Sequence, residues 1–256
     1  LSSLNLSPDL ELIVFTQGGK TRALVAREMA YHHIAQGELN GQPYMVSFCA
    51  PCNSGVGLTP VVKNTVHHFG AIGLTDGLAI LADRETRTHW HHITGEALTG
   101  PLAGHQLEVW PVHMTTVAEA LVKYPDLTIS LSGYRSLQWR LAQRLYPRFI
   151  HNNVWLPGFF YASMSEPIDP RLDKLTQGLG VILGKRAKYY PLSRIPHDGI
   201  RDRWLGRTLY VKKENISGAP YARWQDTGQE PMQLLSRWYG FSFTYPQCEV
   251  YQRGDS

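Results

Sequence analysis

"GKTRALVAREMAYHHIAQGELNGQPYMV", Gly19 to Val46, lines up without a gap on "GKRAKYYPLSRIPHDGIRDRWLGRTLYV", Gly184 to Val211. Gly19/Gly184, Lys20/Lys185, His32/His197, Gly41/Gly206 and Val46/Val211 are identical pairs. Each stretch carries the same succession of signals: a hairpin arm, a short helix, a glycine turn, a strand. A helix of aromatic character ending at Tyr-Pro follows in each, at Tyr124-Pro125 and at Tyr245-Pro246. Repetition of one order of elements predicts two related halves from an internal duplication, the second copy shortened. The expected fold is α+β and β-rich, with short helices packed on antiparallel sheets. The expected organisation is a first repeat over 1–130, a basic aromatic helix and connector over 131–172, and the second repeat over 173–256.

Around that stretch, "LELIVFTQGGKTRALV" (Leu10–Val25) reads as a hairpin turning at Gly18-Gly19. "REMAYHHIAQGELNG" (Arg27–Gly41) reads as one short helix ended by a turn, and "QPYMVSF" (Gln42–Phe48) as a strand. "NTVHHFGAI" and "GLAILADRETRTHWHHITGEAL" give further strands joined by Gly- and Asp-containing turns. "TTVAEALVKYPD" has helical spacing, with Val117, Ala120, Leu121 and Tyr124 on one face, and stops at Pro125.

The 256 residues suffice for real cores, and 43% hydrophobic with 18% charged residues is the balance of a soluble globular protein. A net charge of +4 is too weak and too dispersed to point to nucleic acid. No apolar run approaches the roughly 18 residues that a spanning helix needs. The chain opens on Leu1, which a cleaved signal peptide or a trimmed start would each explain.

The strand over Gln42–Phe48 leads into Cys49-Ala50-Pro51-Cys52. This spacing supplies two thiolates to one soft ion, or closes as a small disulfide, or works as a redox pair. A thioredoxin-like reading needs a helix at the first cysteine, and "NSGVGLTP" does not read as one. The aligned positions of the second half are Glu214 and Ser217, so chemistry at the cysteines belongs to the first half. Two thiolates leave a metal site incomplete, and histidine is the usual complement. His32, on the short helix beside the cysteine strand, is the first candidate; a helix-end histidine bonded to a carbonyl is the blander reading, and His197 at the matching place supports it. On a strand only one of His67 and His68 faces inward. In "HWHH", His89 and His91 share one face and Trp90 and His92 the other. His67, His89 and His91 read as solvated strand histidines, Asp83 as a turn residue bonding nearby amides, Glu96 as a turn carboxylate and Cys248 as a buried structural thiol. The glycines at 95, 100 and 104 lack the strand–loop–helix setting of a phosphate cradle, so no nucleotide or organic cofactor is indicated.

"SFCAPCNSGVG", "FGAIGLTDGLAILADRETRTHW" and "ITGEALTGPLAGHQLE" together resemble the DUF3179 family, a domain of unknown function. The matching elements are Cys49–Ser54, Asp83–Thr86, Trp90, Thr94–Ala97 and Gly100–Gly104, and His32-His33-Ile34-Ala35-Gln36 is similar to the family's histidine helix. Pro51 stands one place later than is usual there, Asn53-Ser54 replaces Gly-Thr, and His92 replaces the usual Gln. The alignment with the family's Trp-x-Gln implies that Trp90 and His92 form the inward face. The resemblance implies a fold neighbourhood and no settled activity. A fainter likeness to the cysteine loops of organomercurial lyases and of an exported copper-binding lipoprotein points to soft metals.

Tyr134–Ile150 carries Arg135, Arg140, Arg144 and Arg148 among Leu137, Trp139, Leu141, Leu145 and Phe149. It reads either as a docking helix for a membrane surface or protein partner, or as an amphipathic bridge between the halves, and the bridge is favoured. The leading expectation is an extracytoplasmic protein that binds copper, or zinc, through Cys49, Cys52, His32 and His92, for carriage or redox chemistry. The alternatives are a non-catalytic assembly domain stapled by a disulfide, and a thiol–disulfide oxidoreductase. Whether the protein is an enzyme stays open.

Overall fold

Gly18 and Gly19 both take positive φ, 56° and 74°, as the tight primed turn of a hairpin requires. The chain folds back there: β1 (Glu11–Gln17) pairs with β2 (Lys20–Val25) from Leu12↔Val25 to Gln17↔Lys20. The computed structural model describes residues 6–134, 136–141, 144 and 162–252. Helix α1 (Ala26–His32) follows and ends where His33 turns left-handed, φ 62°, its N–H bonding Met29 O.

The expectation of one helix over Arg27–Gly41 is corrected here. Ile34–Leu39 is a strand, β3, antiparallel to β4 (Gln42–Cys49) across a second positive-φ turn at Asn40-Gly41. Gly37 weakens helix in this segment, and pairing along the whole of β4 outweighs what local propensity remains. After the cysteine loop the chain returns as β5 (Ser54–Leu58), paired with β4 from Met45↔Leu58 to Cys49↔Ser54. A strand, not a helix, therefore follows the cysteines.

A small hairpin, β6 (Val61–Val62) and β7 (Thr65–Val66), leads to a second sheet. Its strands are β8 (Phe69–Thr75), β9 (Leu78–Asp83), β10 (His89–His91) and β11 (Ala97–Thr99), in the order β11-β10-β9-β8. β12 (Val109–Trp110) completes the sheet β12-β5-β4-β3. β13 (His113–Thr116) joins β1, helix α2 (Val117–Lys123) follows, and β14 (Thr128–Ser130) lies parallel to β2, giving the order β13-β1-β2-β14. The side chain of Thr116 caps α2 by accepting the Glu119 N–H.

The second half comprises β15 (Gln177–Leu183), β16 (Arg186–Pro191), a 3-10 turn at Leu192–Arg194, β17 (Ile200–Trp204), β18 (Arg207–Lys213) and β19 (Pro220–Trp224), then β20 (Met232–Arg237), α3 (Trp238–Thr244) and β21 (Glu249–Val250). Its main sheet, β20-β15-β16-β21, repeats the order and sense of β13-β1-β2-β14, with a helix again placed before a final parallel strand. The parallel is one of connectivity; descent from a duplicated segment stays an expectation of the sequence.

β4 has both faces buried, and they feed two cores. Val46 and Phe48 face a cluster of the first half with Phe15 and Met29. Met45 and Cys49 face a larger one, where Cys52, Trp90, Tyr189, Trp238 and Phe241 also pack. That cluster joins the halves, so the cysteines sit where they meet. No described helix is long and apolar enough to cross a membrane. Of the basic aromatic helix expected over Tyr134–Ile150, residues 137–141 are helical, with Leu137 and Leu141 exposed; residues 135, 142–143 and 145–150 lie outside the described residues.

Candidate metal centre

Period-2 alternation places Ser47 and Cys49 on the face of β4 that looks toward the second half. The loop Ala50–Asn53 then curls tightly. The Asn53 N–H bonds Ala50 O at 3.1 Å and Asn53 takes φ 47°, a conformation asparagine tolerates better than most residues. The curl brings Cys52 back over Cys49, with Cys52 Sγ 3.5 Å from Cys49 O and 2.8 Å from Ser54 Oγ. Both thiols are free and fully buried.

The third donor comes from the next sheet. Asp83 is buried at the end of β9 and accepts from Thr86 N at 2.6 Å, from Thr88 N at 3.2 Å and from Trp90 Nε1 at 2.9 Å. These bonds fix the turn into β10 and seat Trp90 inward. His92, two residues on, shares that inward face and is fully buried, whereas His89 is exposed and His91 half-buried. His92 Nε2 lies 3.9 Å from Cys52 Sγ, and its Nδ1 lies 3.5 Å from Ser47 Oγ. The ligand atoms of Cys49, Cys52 and His92 all lie within 4.8 Å of one another. Metal–sulfur and metal–nitrogen bonds of about 2.3 and 2.0 Å put donors about 3.5–3.8 Å apart around one ion, close to this spacing.

Electrostatics divide the thiols. Burial raises both, but for Cys49 the hydrogen bond from Cys52, backbone donors and the charge of Arg237 more than reverse it, and its pKa falls below the usual thiol value. Cys52 is driven well above that value by burial and by Cys49. Burial, with His91 and His33 nearby, holds His92 far below the ordinary imidazole range, so it is neutral, the form that ligates metals.

All three donors lie in the first half, and the second half packs against their loop. Arg237, 1% exposed at the end of β20, donates its backbone N–H to Cys52 O and its Nη1 to Pro51 O, both at 2.8 Å. Gly240 of α3 lies against Cys52: a Cβ there would come within 2.9 Å of the Cys52 Cβ. No sequence signal marks Arg237, because a buried arginine before an aromatic helix looks like any other.

His32 is placed elsewhere. Its Nε2 bonds Ser132 Oγ at 2.9 Å in a cleft also lined by Glu28, Ile34 and Gln36. Its neighbour His33 turns instead toward the cysteine strand, with Nδ1 3.3 Å from Phe48 O. The left-handed φ of His33 turns the chain at the end of α1, and the two rings find different partners. His67, expected in solvent, is buried against Asp83 at 3.2 Å, while His68 is exposed. His67, Asp83 and Glu85 form a second cluster of possible ligands, but Asp83 is already occupied by the donors named above. Glu96 is exposed. Cys248 is buried, its thiol pushed up to about 11 by burial against the opposing pull of Arg171.

No curated protein and no solved structure matches this chain. The family described as "Protein of unknown function (DUF3179)" matches residues 2–234, which spans the cysteine loop, the Asp83 turn, His92 and most of the second half. The chain therefore belongs to the DUF3179 family.

Proposed function

We propose that Cys49, Cys52 and His92 hold one soft metal ion, copper first and zinc second, in a protein that works outside the cytoplasm in metal carriage or metal-dependent redox chemistry. The observation that carries this reading is the convergence of two sulfurs and one imidazole nitrogen, all buried and within 4.8 Å of one another. Thiolates select Cu(I) and zinc among common ions, and imidazole suits both. Ser47, beside His92 Nδ1, leaves Nε2 turned toward the sulfurs, as an outer hydrogen-bond partner does at a metal-bound histidine. His32, more than a ligand's reach from the group, is dropped from the ligand set.

A second reading, thiol–disulfide exchange, draws on the opposite shifts of Cys49 and Cys52. Burial of both sulfurs counts against it, because exchange needs an accessible attacking thiolate. The test is elemental analysis of reduced protein offered one equivalent of Cu(I) or of Zn(II) and then passed over a moderate chelator. Wild type is expected to keep close to one ion, and Cys49→Ser and Cys52→Ser less than about a tenth of that, with melting curves showing that both variants fold. Wild type stripped of every ion, or serine variants that retain theirs, would sink the proposal.

A further inference from the structure

The sheet β17-β18-β19 turns one face to the core and the other outward. Ile200, Trp204, Leu209, Val211, Ala222 and Trp224 alternate onto the inner face and pack there in one cluster. The same alternation puts Arg201, Arg203, Lys212 and Arg223 on the outer face. The other outward positions are Thr208, Tyr210 and Tyr221, and none is acidic. The register sets Arg201 opposite Tyr210 and Tyr210 opposite Arg223, a row across all three strands. Strands about 4.8 Å apart, with same-face residues about 6.7 Å apart, root the four cations within about 10 by 13 Å. Like charges gathered this closely repel one another until an anion joins them. Arg223 has such a partner in Glu230, at 3.1 Å. Arg201, Arg203 and Lys212 take part in no ion pair and no side-chain hydrogen bond among the described residues.

We infer that this face docks the protein on an anionic phospholipid surface, with Arg201, Arg203 and Lys212 meeting headgroup phosphates. A guanidinium fork matches the phosphate oxygens, and an ammonium adds a point charge. The cations stand on one side of a short sheet, so a planar anionic layer meets all of them at once. Single-stranded nucleic acid would be held by bases stacked on aromatic rings, and both tyrosines are already engaged. The Tyr210 ring lies against Gly199, where an added Cβ would come within 3.2 Å of it, and its hydroxyl donates to Asp198 O at 3.1 Å. The Tyr221 ring has the Arg223 guanidinium and the Lys123 ammonium each 5.4 Å from its centre. Ile216, 55% exposed in the turn between β18 and β19, adds an apolar side chain to the same hairpin, a combination that suits the boundary of a bilayer. None of these residues belongs to the metal centre, so the two readings stand or fall separately.

The experiment is co-sedimentation of the full chain with vesicles of phosphatidylcholine alone and of phosphatidylcholine with about one third phosphatidylglycerol. Each cation near an anionic surface contributes a factor of about five, so three together are worth about 100-fold. Wild type is expected to bind the anionic vesicles about 100-fold more tightly than the neutral ones, and to lose most of that preference at about 0.5 M salt. Arg201→Gln/Arg203→Gln/Lys212→Gln should lose nearly all of it. Lys20→Gln/Lys63→Gln/Lys185→Gln removes the same charge from exposed hairpin ends elsewhere and should stay within about threefold of wild type. Melting curves check that both variants fold; if the first does not, Arg203→Gln alone decides, with an expected loss of about fivefold. Equal binding of wild type to both kinds of vesicle overturns the inference, as does an Arg203→Gln protein or a folded triple face variant that binds like wild type. A lysine variant that loses as much as the face variant also overturns it, because binding would then follow net charge and not this face. So does tighter binding of a single-stranded DNA than of the anionic vesicles through the same three residues, which would make the partner a nucleic acid.

Discussion

At the scale of single residues, His92 and Asp83 carry different burdens. His92 is a donor aimed at Cys52, and His32 is a cleft residue bonded to Ser132. His92→Ala is expected to weaken Cu(I) binding by at least about tenfold, and His32→Ala to leave it within twofold, in chelator competition. Equal losses in both variants would mean that the centre is not where the three donors meet. Asp83 is structural, a buried carboxylate accepting from Thr86, Thr88, Trp90 and His67. Asp83→Asn loses charge-assisted bonds and forces one amide donor against others, so a loss of about 2–4 kcal/mol is expected in urea unfolding. A loss under 1 kcal/mol would show that the turn holds without the carboxylate. The inward turn of His92 was legible because strand alternation from Trp90 and the family pattern agree. That His33 rather than His32 turns toward the cysteine strand was not, since it depends on the left-handed φ of His33, which no periodicity reports.

At the scale of elements, the glycine turns at 18–19 and 40–41 were the clearest signals, and each closes a hairpin. β3 was misread because Ile34–Leu39 follows a true helix without a proline, and only pairing with β4 reveals it as a strand. β5 shows what local pattern leaves out. In the sequence this stretch argued only against a helix, yet Gly57 lies under the ring of Trp110 on β12, and a Cβ there would come within 1.9 Å of the indole. The glycine is required by a neighbour rather than by its own φ. Gly57→Ala must push Trp110 outward or part β12 from β5, and a loss of about 2–4 kcal/mol in chemical unfolding is expected. Gly41→Ala meets nothing within 4 Å, so its cost is confined to a positive φ of 75° and should be about 1 kcal/mol. The reverse ranking would show that Trp110 adapts at little cost.

At the scale of the whole molecule, each half clasps the loop that follows the other's fourth strand. The cysteine loop of the first half is held by Arg237 and Gly240 at the start of α3. The corresponding loop of the second half is held by Glu119 of α2, which accepts the N–H groups of Ile216 and Ser217 at 2.7 and 3.1 Å. Gly240 and Glu119 occupy the same position in their helices, the third residue. A glycine leaves room for a cysteine side chain; a carboxylate takes up the bare amides of a turn. This exchange depends on contacts between residues far apart in sequence, which is why the second half's hold on the cysteine loop was not legible. Around it run further ties between the halves, Lys123 with Glu214 and His113 with Glu230 at 2.8 Å. Glu230 also meets Arg223 at 3.1 Å. Burial pushes its carboxyl up, but the hydrogen bond and charge of His113, then Arg223, outweigh that and hold it at about 2. An unfolded glutamate titrates near about 4.3, so the folded pKa is depressed. The stability Glu230 contributes is therefore complete above about pH 5 and is lost as pH falls toward about 2. Allowing for partial exposure, its size is about 1–3 kcal/mol. Glu230→Gln should thus be less stable than wild type by that amount in urea at pH 7, with the gap shrinking at pH 3.5 and nearly closed at pH 2. A gap that stays constant across this range would mean that glutamine is disfavoured by shape alone, and that the charge of Glu230 contributes nothing to holding the halves together.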